Sequence, residues 1–287
     1  MTGPRISWLP DGRRLHMNHG PIDLIVEAFG DEGERQAAYR QAAARFQTIL
    51  GELVEELTEL RRPAKLEPRV FSGPTARRME AAVSKHASVF ITPMAAVAGA
   101  VADEMLAAMV ADRKLDKAYV NDGGDIALYI APGQSIKAAI ADTGHGLSDR
   151  VEIHAGDSIR GIATSGWRGR SFSLGIADAV TVLAESAAAA DAAATIIANA
   201  VDLPGHSAIR RTPAAELAPD SDLGPRLATT GVGALSRSEI NRALDAGLAA
   251  ADQLRKRGLI VASALFLSGE SRVGGPISIS KRELAYA

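Results

Sequence analysis

Six strand-like apolar runs follow one another along the middle of the chain, at residues 118–120, 125–130, 136–141, 151–154, 159–164 and 179–184. No helical periodicity separates them. Parallel neighbours need a crossover of a dozen or more residues, usually a helix, whereas antiparallel neighbours close through short turns. So many strands, adjacent in sequence, are more than a doubly wound parallel sheet requires. An α+β architecture with a largely antiparallel sheet packed by helices is therefore expected.

The rest of the chain supplies the packing layer. Residues 14–18 and 22–29 are strand-like around the turn His19-Gly20-Pro21. A helix is expected over 31–62, where Tyr39, Ala42, Phe46, Leu50, Leu53, Leu57 and Leu60 recur at spacings of three and four, and Pro63 ends it. Pro74 sits well in the first turn of a second helix over 74–86. A short strand over 88–91 leads to Thr92-Pro93, a hydroxyl cap followed by proline, and a helix to about residue 112. Its Ala95, Ala96, Ala98, Gly99, Ala100 and Ala102 allow close backbone approach. An alanine-rich helix is expected over 186–201 and a surface excursion over 204–225. Ser236-x-x-Glu239 forms a capping box for a helix ending before Gly258, and a strand over 259–267 follows.

With 287 residues, 47% apolar and 23% charged, the chain can bury a sizeable core. One domain over residues 1–287 is expected, divisible into two subdomains with the site between them. A net charge of −2 steers the molecule towards neither nucleic acid nor an acidic membrane. The absence of cysteine excludes disulfides, thiolate nucleophiles and cysteine-ligated metals. The first residues lack a signal-peptide pattern. The longest weakly polar stretch, 173–201, is broken by Asp178, Glu185 and Asp191, against a membrane span. A cytoplasmic protein with neither nucleic-acid nor membrane partners is the expectation.

Three stretches carry more polar equipment than their local structure needs. In Val120-Asn121-Asp122-Gly123-Gly124-Asp125 two glycines between acids suit either a tight hairpin or a backbone that meets a ligand. Thr164-Ser165-Gly166, followed by Trp167, Arg168, Gly169 and Arg170, suits an oxyanion, or a solvated hairpin whose arginines pair with nearby acids. Asp191 and Thr195 share one helix face, fit either for solvent or for a hard cation such as Mg²⁺. Among the histidines, His19 faces either the site or its own turn. His145 is a lid candidate or a solvated loop residue, and none of the others has zinc-like spacing.

Taken in order, HGPIDL (19–24), TPMAAVAGAVAD (92–103), VNDGGDIAL (120–128), GIATSGWRGRS (161–171), SLGIADAVTVLA (173–184) and ADAAATIIANAV (190–201) resemble the ApbE superfamily, the FAD:protein FMN transferases. The likeness is closer still to its UPF0280 family and covers about residues 13–270. It implies an ApbE-like, T-fold-related fold that binds FAD with Mg²⁺ at the pyrophosphate. The implied metal ligands are Asp191, Thr195 and a backbone carbonyl near Val97 or Ala98. The implied nucleotide contacts are Gly123, Gly124, Asp125, Thr164, Ser165 and Gly166, with Asn121 in the same turn and Arg168 and Arg170 beyond. Asp191 and His19 are the expected catalytic residues. The implied chemistry is in-line attack on phosphorus with release of AMP, as an FMN transferase or FAD pyrophosphatase. Two features depart from the transferases: residues 167–178 hold no histidine, and Ala98 stands where a lysine is expected. They leave two alternatives, an enzyme acting on another anionic small molecule and a non-catalytic flavin-binding or anion-binding protein. A homodimer is compatible with each.

Overall fold

A computed structural model describes residues 3–139 and 150–276, and His145 lies outside the described residues. The elements run β1 (Arg5–Trp8), β2 (Leu15–His19), β3 (Ile22–Gly30), α1 (Glu32–Glu55), α2 (Leu57–Leu60) and α3 (Pro74–Ser84). A 3₁₀ turn (Pro93–Ala96) leads into α4 (Val97–Val110), then β4 (Leu115–Asp122) and β5 (Asp125–Ile130). Next come β6 (Ser135–Ala139), β7 (Arg150–His154), β8 (Gly161–Ser165), β9 (Ala179–Ala184) and α5 (Ala187–Ala200). The chain continues through β10 (Ile209–Pro213), α6 (Ala214–Leu217), β11 (Leu227–Val232), α7 (Arg237–Lys256), β12 (Ala262–Leu267) and β13 (Glu270–Gly274). The architecture is mixed α and β, with antiparallel sheet packed by helices, as the crowding of strands requires.

These elements form two compact units. The first takes residues up to 135, 154–163 and 184–192. Its strands run antiparallel in the order β1-β2-β3-β4-β5-β8. Along β3 the alternation Ile22, Leu24, Val26 turns apolar side chains to one face, and α1 packs there. The glycine- and alanine-rich α4 lies against α1, β4 and β5. Met17, Leu24, Phe46, Ile49 and Met105 are fully buried between these layers. Each contributes roughly 1.5–3 kcal/mol by leaving water. The second unit holds β9-β12-β13, also antiparallel, with α7 packed on β12 and β13, and the separate ribbon β10-β11. Ser236 and Glu239 form the expected capping box at the start of α7: Glu239 N donates to Ser236 Oγ (3.4 Å), and Ser236 N to Glu239 Oε2 (2.7 Å).

Several local expectations are corrected. The long first helix breaks at Glu56, whose carboxylate instead accepts hydrogen bonds from Ser72 N (2.7 Å) and Gly73 N (3.0 Å). Residues 88–91 form no strand; Ile91 makes a single backbone bond, accepting from Ala64 N at 2.8 Å. Thr92 precedes a 3₁₀ turn rather than α4 itself, and its side chain makes no cap hydrogen bond to that turn. The excursion over 204–225 contains β10 and α6. The edge strands β1 and β13 carried no strong pattern in the sequence. Among the described residues one helical stretch, Pro93–Val110, is long and apolar enough to cross a membrane, but 50% of it is buried inside the protein, against α1 and the sheet.

Candidate functional site

The β4–β5 hairpin is as tight as a two-residue turn allows. Asp122 and Asp125 are register partners, and Gly123 and Gly124 between them have φ of 63° and 118°. Both glycines are thus in the region that L side chains rarely adopt. Asn121 Oδ1 accepts from Gly124 N at 2.8 Å, so this side chain serves the turn itself. A Cβ at Gly124 would meet nothing within 4 Å, which leaves the backbone open to close approach. Asp122 and Asp125 are only 5% and 9% exposed, unusual for acids at a turn.

Those two carboxylates act on Asp191. Burial pushes the Asp191 carboxyl well above the usual carboxylate range, and the nearby charge of Asp125 pushes it the same way. The charge of Asp122 and hydrogen bonding with Asp125 add to this, while the Gly99 amide pulls it down. Burial together with the neighbouring carboxylates disfavours the charged form of Asp191, a condition that a proton or a cation relieves. The alanines around Asp191 leave its sequence compatible with either solvent or a cation, and the residue is partly exposed.

Gly99 N donates to Asp191 Oδ2 at 3.1 Å, so Asp191 satisfies an orphan amide in the first turn of α4. The favour is returned. Asp103, four residues after Gly99, accepts from Ala187 N (3.0 Å) and Ala188 N (2.9 Å) at the start of α5. Ser186 Oγ takes Ala189 N at 3.2 Å, and Ser186 O takes Ala190 N at 3.0 Å. Every amide in that first turn has an acceptor. The two helices meet at glycine: a Cβ on Gly99 would lie 2.3 Å from Ala187 O. Burial raises the Asp103 carboxyl too, opposed by its bonds to Ala188 N and Ala187 N. Asp122 was visible in the sequence as one of the acids that bracket the glycines, whereas Asp103 stands in the 92–103 motif with no local feature that marks it.

His19 ends β2 opposite Ile22, and the β3–β4 register puts Leu24 opposite Asp122. The histidine and the Gly123-Gly124 turn therefore occupy one end of the sheet. The His19 ring stands edge-on to Phe46 at 6.1 Å, and its Nδ1 is buried without a hydrogen-bond partner. Val97 opens α4, its amide bonded to Met94 O. Thr195 lies one turn beyond Asp191 on α5.

The remaining expected residues fall in the second unit. Thr164 Oγ1 lies 2.9 Å from Thr181 Oγ1 across the ladder. A Cβ at Gly166 would sit 2.4 Å from Asp178 O, so glycine is needed for the β8 exit. Ser165, which ends β8, is partly exposed. Arg168 is matched: its Nε lies 2.8 Å from Asp178 Oδ1, and its guanidinium stands over Trp167, 5.4 Å from the ring centroid. Asp178 also accepts from Trp167 Nε1 (3.2 Å) and Ser268 N (2.6 Å). Arg170 is exposed at the tip of the loop.

Among the described residues no three His, Cys, Asp or Glu side chains are arranged to hold a metal ion by themselves. Hard cations such as Mg²⁺ commonly keep waters and take few protein carboxylates. Asp191, with buried acids beside it, fits a cation of that kind: its donors are oxygen and its surroundings disfavour unbalanced negative charge.

A family model described as "AbpE bacteria" matches residues 6–273. The UPF0280 protein of Methanopyrus kandleri is 38% identical over 138 residues, covering 47% of this chain and 54% of that protein. The UPF0280 protein of Methanothermobacter thermautotrophicus is 36% identical over 163 residues, covering 54% of this chain and 62% of the relative. That of Methanothrix thermoacetophila is 40% identical over 112 residues, with 39% and 46% covered. The chain thus spans about half the length of the curated relatives it matches.

Proposed function

We propose, starting from the premise that this chain belongs to the AbpE bacteria family, an ApbE-like family, that it binds a phosphate-bearing nucleotide, FAD in the first instance, together with Mg²⁺. On this reading it acts as an FMN transferase or FAD pyrophosphatase. The observation that carries the reading is Asp191 beside the Asp122–Asp125 turn: burial foremost, and then the charge of Asp125, holds its carboxyl well above the usual range. Buried carboxylates with strongly raised pKa values are more frequent at functional sites than elsewhere.

Asp191 is the residue that would hold the cation, with Thr195 one turn along and the carbonyl at Val97 as further donors. When bound, Mg²⁺ supplies charge neutralisation to pyrophosphate oxygens. The open backbone at Gly123 and Gly124 would receive the nucleotide, with Asp125 setting the charge beside it. His19 would take the proton from the attacking hydroxyl or water, being the imidazole at the same end of the sheet. Thr164, Ser165, Gly166 and Arg170 keep their nucleotide-facing roles on resemblance alone. Arg168, already matched by Asp178, is a weaker anchor for an anion than the bare sequence suggested.

The test is thermal. Metal-free protein is melted alone, with FAD, with Mg²⁺ and with both. At a hundredfold excess over Kd, binding stabilises by about 2.7 kcal/mol, a shift on the order of 5 °C for a chain of this size. The expected result is such a shift with both ligands, lost in Asp191→Ala, and AMP released on incubation. No shift with both ligands rejects the cofactor reading. A shift without AMP under conditions that supply an acceptor hydroxyl favours a carrier over an enzyme.

A further inference from the structure

We infer that Asp103 is a positioning residue for the cation site: it touches neither cation nor nucleotide, and it sets where Asp191 stands. This inference rests on the role proposed above for Asp191.

Helices α4 and α5 cap each other. Helix first turns carry amides without partners, and such amides favour a carboxylate. Here each helix borrows its carboxylate from the other. Asp191 of α5 takes Gly99 N of α4, and Asp103 of α4 takes Ala187 N and Ala188 N of α5. Gly99 and Asp103 are four apart on α4, so they share a face; Ala187 and Asp191 are four apart on α5 and do the same. The result is a closed four-point clamp. At its centre is bare backbone, because a Cβ on Gly99 would lie 2.3 Å from Ala187 O and 2.7 Å from Ala188 N.

A clamp of this kind fixes both translation and rotation of α5 against α4. With Asp191 Oδ2 held by Gly99 N, the swing of its carboxylate is restricted. Asp103 is the only member of the clamp that can be altered without changing the proposed ligand or creating a backbone clash. In Asp103→Asn the shape is kept, but one acceptor becomes an NH₂ that faces an amide N–H. One of the two bonds to α5 must break. Residues that orient a ligating side chain typically change metal affinity by about 10- to 100-fold when replaced.

Two measurements on the full chain test this, both well below the melting temperature. The first is Mn²⁺ binding to metal-free protein, followed by the loss of the free-ion electron paramagnetic resonance signal. The second is amide exchange at Gly99, followed by NMR in the absence of metal. The expected result is Mn²⁺ affinity at least about tenfold weaker in Asp103→Asn than in the wild type, with faster exchange at Gly99. A folded Asp103→Asn protein with unchanged Mn²⁺ affinity would show a purely structural cap and overturn the inference. If the wild type binds no Mn²⁺, the cation reading of Asp191 fails, and Gly99 then decides this inference separately. Faster exchange in the variant sustains the coupling of Asp103 to Asp191, and unchanged exchange overturns it. Should Asp103→Asn not fold, Asp103→Ser, which keeps one oxygen acceptor, takes its place in both measurements.

Discussion

Glu239 shows how much one side chain can be asked to do by its neighbours. Its carboxylate receives His206 Nε2 at 2.9 Å and both Ser236 N and Ser236 Oγ at 2.7 Å. These bonds, the one from His206 foremost, hold its pKa down to about 2. A carboxylate with a depressed folded pKa stabilises the fold above its unfolded pKa, and that contribution is lost as pH falls through the folded value. Glu239→Gln keeps the cap geometry and removes the charge. We expect its stability deficit, measured by urea unfolding, to be full at pH 6 and to shrink as the pH is lowered from about 4.5 towards 2. A deficit that stays constant across that range would contradict the assignment. This capping box was legible in the sequence because all of its chemistry lies within four residues. The surroundings of Asp191 were not, since its amide partner is 92 positions away and the acids beside it lie on a distant hairpin.

At the scale of elements, small residues matter where helices touch. Gly99 and Gly51 both lie inside helices, yet their surroundings are opposite. A Cβ at Gly51 meets nothing within 4 Å, whereas one at Gly99 runs into the backbone of Ala187. Gly51→Ala should therefore stabilise by about 0.4–1 kcal/mol through the unfolded state and helix propensity. Gly99→Ala should destabilise by about 1–3 kcal/mol or more, because backbone cannot move aside as a flexible side chain does. Chemical denaturation of the two variants checks both signs, and a neutral Gly99→Ala would show that α4 and α5 are not in the contact described. The periodicity of α1 was readable, including Phe46 and Leu53, but its end was not. Glu56 leaves the helix to serve amides at Ser72 and Gly73, a use of the side chain that no local pattern announces. Residues 88–91 failed as a strand for the complementary reason: apolar composition alone does not supply a ladder partner.

Over the whole molecule, each compact unit is built from several separate stretches of chain. The antiparallel character could be read because it follows from strands adjacent in sequence. The two discontinuous groupings could not, because segments such as 154–163 and 184–192 join the first unit only through long-range pairing. The resemblance to the FAD:protein FMN transferases is a reason to look for a nucleotide, and the buried acids beside Asp191 are a reason to look for a cation with it. The central claim is that the two bind together and through Asp191. It is tested most directly by titrating FAD with purified protein and following flavin fluorescence, with and without Mg²⁺, for wild type and Asp191→Ala. Saturable binding by the wild type is expected only when Mg²⁺ is present, with its loss in Asp191→Ala. Binding of equal strength without Mg²⁺ or in Asp191→Ala, or no binding by the wild type at all, would contradict it.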